Sequence, residues 1–176
     1  GSNIKIQNIS QKTGNFVLDK HSQNISFENC RFNDRELTIV NSKNISFTNC
    51  LFRGCYIEEA KKISFGHCSF LSPKYGLDAA LSLNRSEEFE IIDSLIYSET
   101  FAILLKCVKK DFSKKRQRII SQSLIFGEKG FLVSQDENKI TEREVIDYAK
   151  TDKSKRMITQ KDIIYSPPAF FNSSIE

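Results

Sequence analysis

The chain has 176 residues, 39% of them hydrophobic and 27% charged, with 14 Phe and no Trp. That is the composition of one folded domain and of neither a disordered nor a collagen-like chain. No apolar run reaches the roughly 18 to 20 residues of a membrane helix, so no membrane span is expected. The net charge of +4 is uneven: residues 1–104 carry 11 Lys+Arg against 12 Asp+Glu and residues 105–176 carry 15 against 10, which places any anion-seeking surface in the second part.

Gly1-Ser2 has the form of a tag remnant and is left out of the reasoning about fold. NIKIQNIS (3–10) is a weak first copy of a unit that then returns as ISFENCRF (25–32), ISFTNCLF (45–52) and ISFGHCSF (63–70). Aligned on its cysteine, the unit gives Cys30, Cys50 and Cys68 at intervals of 20 and 18. The related IIDSLIY (91–97) and IISQSLIF (119–126) put Leu95 and Leu124 at that position, at intervals of 27 and 29. Self-similarity at such a period points to a solenoid. Within each unit, Ile25 and Phe27 alternate with Ser26, the two-residue period of a strand. RELTIVNS (35–42), GCYIEEA (54–60), DAALSL (78–83), FAILLK (101–106) and FLVSQ (131–135) supply further short, β-branched or aromatic segments. Two or three short strands with bends between them, every 20 residues or so, describe one coil of a parallel β-helix.

Stacked strands place residue i of one coil on residue i of the next, roughly 4.8 Å away, so like stacks on like. Phe27/Phe47/Phe65, Cys30/Cys50/Cys68 and Phe32/Phe52/Phe70 are the expected inward columns. Ser26/Ser46/Ser64, Glu28/Thr48/Gly66 and Arg31/Leu51/Ser69, the last followed by Ile96 and Ile125, are the expected outward ones. With no helices to cover the sheets, outward positions are expected to be polar or small.

The repeated (N/K)-I-S-F-x-(N/H)-C-x-F resembles the coils of right-handed parallel β-helix proteins of the pectate-lyase-like superfamily, over most of residues 4–134. The resemblance implies an all-β pectin lyase fold: a right-handed single-stranded parallel β-helix of about six coils over residues 3–135. It also implies an asparagine ladder at a bend, with Asn29 and Asn49 continued by His67, Ser94 and Ser123, beside the Cys30, Cys50, Cys68 column. Residues 136–176 read as a capping unit. TERE (141–144) matches a capping box and predicts a helix of about 142–150, and DIIYSPPAFF (162–171) predicts a partial further coil or a segment packed along the rod.

Catalysis on such a rod needs charged side chains clustered at outward positions about 20 residues apart, and the outward columns above hold no such cluster. The Asp-pair, Gly-His-Gly and Arg-x-Lys signatures of galacturonan hydrolases and the Asp-Pro-His of alginate epimerases are absent. Glu58-Glu59 and Glu87-Glu88 are strand neighbours and face opposite sides. His21 and His67 have neither a serine nor a cysteine partner suggested by spacing. The five cysteines, Cys30, Cys50, Cys55, Cys68 and Cys107, contain no CxxC pair, so neither a metal site nor a disulfide framework is indicated, and no cofactor is expected. Asn-x-Ser triplets at Asn8, Asn24, Asn44, Asn84 and Asn172 follow largely from bends that favour Asn.

The most basic stretch is 106–118, with Lys106, Lys109, Lys110, Lys114, Lys115, Arg116 and Arg118 against Asp111 alone. It could hold phosphate, sulfated or uronic groups, with Phe112 free to stack on a sugar or base. Lys150, Lys153, Lys155 and Arg156 form a second run.

The leading expectation is a non-catalytic binding or scaffold module within a larger bacterial-type surface or secreted protein, contacting a polysaccharide or a protein. The alternatives are a polysaccharide lyase or hydrolase whose active site is incomplete in this chain, and an anion-binding protein acting through residues 106–118. Localisation stays open: the family resemblance favours an extracytoplasmic or cell-surface location, whereas an odd number of reduced cysteines suits the cytosol.

Overall fold

The computed structural model describes residues 3–33, 36–72, 79–86, 88–106, 118–127, 131–134, 143–146, 159–161 and 164. The chain advances in strand triplets. The first tier is β1 (Ile4–Gln7), β2 (Ser10–Gln11) and β3 (Phe16–Leu18), and the second is β4 (Gln23–Glu28), β5 (Arg31–Phe32) and β6 (Leu37–Val40). The third is β7 (Lys43–Thr48), β8 (Leu51–Phe52) and β9 (Cys55–Glu58), and the fourth is β10 (Lys61–Gly66), β11 (Ser69–Ser72) and β12 (Ala79–Asn84). The fifth is β13 (Glu88–Ile92), β14 (Leu95–Ser98) and β15 (Phe101–Lys106), and the sixth is β16 (Arg118–Ser121), β17 (Leu124–Gly127) and β18 (Phe131–Ser134), followed by β19 (Arg143–Ile146) and β20 (Thr159–Lys161). First strands pair with first strands in sheet A, second with second in sheet B and third with third in sheet C, in parallel throughout these six tiers. Three stacked parallel sheets fit a β-helix-like architecture.

The bends carry much of the specification. Each sheet A strand of the six tiers ends in a residue of positive φ: Asn8, Asn29, Asn49, His67, Asp93 and Gln122, at 48 to 58°. Asn and Asp tolerate that region better than other residues with a Cβ. From the second tier on, the next residue turns a small X–H group inward. The thiols of Cys30, Cys50 and Cys68 each donate to the carbonyl two residues back at 3.3 Å, and the hydroxyls of Ser94 and Ser123 make the same bond at 2.8 and 2.7 Å.

The core lies between the sheets. Phe27, Phe47 and Phe65 stack at 4.9 and 5.0 Å, Phe32, Phe52 and Phe70 at 5.3 and 4.9 Å, and the two columns meet edge to face. Leu37, Ile39, Cys55, Ile57, Leu81 and Leu83 close the third side. The four described cysteines are free and buried.

Three expectations are corrected. Ser69 pairs with Leu95 and Leu95 with Leu124, so the cysteine column continues as Ser94 and Ser123 and not as Leu95 and Leu124. The positive-φ column after Asn29 and Asn49 therefore runs through His67, Asp93 and Gln122. Ile96 and Ile125 lie inward, beyond Phe70. Apolarity misleads there because the position is selected by its bond to a carbonyl, which Ser makes as well as Cys. Second, residues 143–146 of the expected helix form β19, antiparallel to β18 with Leu132 opposite Val145. The rest of 142–150 lies outside the described residues, and no helix occurs among those described. The open edge of β18 gives Val145 and Ile146 a ladder partner, which outweighs a local capping signal. Third, outward positions are not uniformly polar: sheet B turns Leu51, Leu71, Leu95, Tyr97, Leu124 and Phe126 away from the core. Of the segment 162–171 only Ile164 is described, bridged to Leu124.

Candidate functional site

The outer face of sheet A has the most regular chemistry. In-register pairing stacks Lys5, Ser26, Ser46, Ser64, Glu90 and Ile119 in one outward column. Parallel to it stand Gln7, Glu28, Thr48, Gly66, Ile92 and Ser121. At the start of the same strands Asn24, Asn44 and Lys62 share positive φ of 55 to 57°, and the Asn44 amide donates to Asn24 at 2.8 Å.

Two hollows cross this face. One of about 460 Å³ is lined by Asn3, Asn24, Ser26, Asn44, Ser46, Lys62 and Ser64. The other, of about 290 Å³, is lined by Lys62, Ser64, Glu88, Glu90, Phe89 and Ile119. The two hollows share Lys62 and Ser64 and so lie next to each other across successive tiers. Lys62 stands at a register shift between β10 and β13, a bulge of the kind that re-aims a side chain.

Glu88 and Glu90 were missed as a pair in the sequence. They lie two apart on β13 and share the outer face, whereas the sequence reading weighed Glu87 with Glu88. The signal was the i, i+2 spacing within EFE. At the far end, Lys5 (2.7 Å) and Gln7 (2.7 Å) hold the Glu28 carboxyl below its usual pKa. The two hollows can therefore offer hydroxyls, amides and one cation along the second to fourth tiers, and two carboxylates at the fifth. No protein-family model, curated protein or solved structure matches this chain.

The other residues singled out in the sequence lie elsewhere. Asn49 donates to Asn29 at 2.7 Å, and His67 sits 3.9 Å from Asp93, all at the bend between sheets A and B. Glu58 and Glu59 are satisfied separately, by Asn84 at 2.7 Å and by Arg85 at 2.7 Å. Asn84 also donates to the Tyr56 hydroxyl, whose pKa is pushed up by burial. Burial pushes the Cys30 and Cys55 thiols up, and the neighbouring Cys50 and Cys68 thiols shift in opposite directions, Cys50 down to about 7 and Cys68 up, because each lies against the other. No cluster of three His, Cys, Asp or Glu with metal-binding geometry occurs among the described residues. Lys109, Lys110, Phe112, Lys114, Lys115 and Arg116 lie outside the described residues; Arg118 opens β16, where its backbone pairs with Phe89.

Proposed function

We propose that this chain is a right-handed parallel β-helix of the pectate-lyase-like kind that binds a polysaccharide non-catalytically along the outer face of sheet A. The observation that carries the reading is the hollow of about 460 Å³ in which Asn24/Asn44 and Ser26/Ser46/Ser64 recur once per tier. A polymer laid along the stack meets the same hydroxyl and amide groups at each step, so weak hydrogen bonds act together. A protein partner is less well suited there, since the column has no aromatic or large apolar anchor before Ile119.

Affinity electrophoresis through gels containing neutral or acidic polysaccharides tests this. Retardation by at least one polymer is expected, and Ser46→Trp, which fills the hollow, should abolish it while the far-UV spectrum is unchanged. Unretarded migration through a broad panel, or retardation that survives Ser46→Trp, would overturn the reading.

A further inference from the structure

Sheet B differs from sheet A in what it turns outward, and its apolar stripe is not part of the polysaccharide site. Leu51, Leu71 and Leu95 are half-buried, and Tyr97, 9% exposed, stacks on Phe126 at 5.8 Å. Between the third and fifth tiers the stripe is hollowed by about 300 Å³, where Leu51, Leu71 and Tyr97 form the apolar lining. Arg53 borders that hollow at the third tier and Glu99 at the fifth, both at the bend that leads to sheet C. Neither has an ion pair among the described residues.

We propose that this face is a self-association surface whose occupant is a second copy of the chain, packed sheet B to sheet B about a two-fold axis parallel to the strands at the fourth tier. That axis keeps the border with sheet C on the same side in both copies and exchanges the third tier with the fifth. Arg53 of each copy is then brought beside Glu99 of the other, Leu51 onto Leu95, and Leu71 onto its own equivalent, with the small Ser69 at the centre. The patch is self-complementary in charge and in apolarity, as an isologous contact requires. Sheets that pack face to face stand about 10 Å apart, a gap these side chains can fill. The stripe is short beside the roughly 800 Å² per partner of a standard interface, so a weak, reversible dimer is expected.

Sedimentation velocity over micromolar to near-millimolar protein tests the assignment. The chain should show a concentration-dependent monomer–dimer equilibrium. Arg53→Glu and Glu99→Arg should each weaken it by at least about tenfold, since each change counts at two symmetric contacts. The double variant R53E/E99R should restore it, an outcome that generic stickiness would not give. A chain that stays monomeric throughout, or a double variant no better than the singles, overturns the proposal. Capture of an unrelated protein on this face with no self-association overturns it as well.

Discussion

Sheets A and B share one core, yet their outer faces have opposite chemistry. Inside, Phe27/Phe47/Phe65 of sheet A and Phe32/Phe52/Phe70 of sheet B interlock with equal regularity. Outside, sheet A shows Ser26, Ser46 and Ser64, whereas sheet B shows Leu51, Leu71 and Leu95. Stacking in the core constrains the inward letters of both sheets alike and leaves the outward ones to differ. Outward letters are free to carry function, and two adjacent sheets have taken different directions.

The two inner columns should be equal in their contribution to stability. Phe47→Ala and Phe52→Ala should each lower stability by about 3 to 5 kcal/mol in chemical denaturation, because each ring has stacked and edge-on neighbours that cannot close the hole. A loss confined to one sheet would contradict a shared core. Next in size is the Cys/Ser column: Cys50→Leu should cost about 1 to 3 kcal/mol by overpacking and by losing the bond to the Thr48 carbonyl, while Cys50→Ser should cost less. The reverse order would return Leu95 and Leu124 to that column.

Asn49→Ala should cost about 1 to 2 kcal/mol, since its φ of 53° disfavours Ala and its amide bond to Asn29 is lost. Asn49→Gly should recover the backbone share of that loss. The pH response is smaller. Burial raises the folded-state pKa of Cys55 above its unfolded value, so its contribution is complete below the ordinary thiol pKa of about 8.5 and is lost as pH rises beyond it. Thermal unfolding followed from neutral to alkaline pH should show a falling midpoint, with a shallower fall in Cys55→Ala. Smallest of all, Ser46→Ala on the outer face should shift stability by less than about 0.5 kcal/mol.

The strand repeat was legible in the sequence because Ile25, Phe27, Cys30 and Phe32 must meet their own kind one tier away. The register of the fifth and sixth tiers was not, since Ser94 and Ser123 replace a thiol by its hydrogen bond and not by its hydrophobicity. β19 was hidden because the capping signal in TERE reads only its own four residues and does not report the open edge of β18 that Val145 and Ile146 can pair with. In the candidate site, the serine column was legible as a repeat, but its meaning was not: Glu88, Glu90 and Lys62 converge only once the bulge in sheet A is known. The basic run 106–118 stands on the sequence alone.

The polar face of sheet A, and not the face of sheet B, is the proposed polysaccharide site. It is tested most directly by comparing Ser64→Trp on sheet A with Arg31→Trp on sheet B in the same polysaccharide gel. Ser64→Trp should migrate as if the polymer were absent, while Arg31→Trp should be retarded like the unaltered chain. Equal retardation of both variants, or loss in Arg31→Trp alone, would contradict the account.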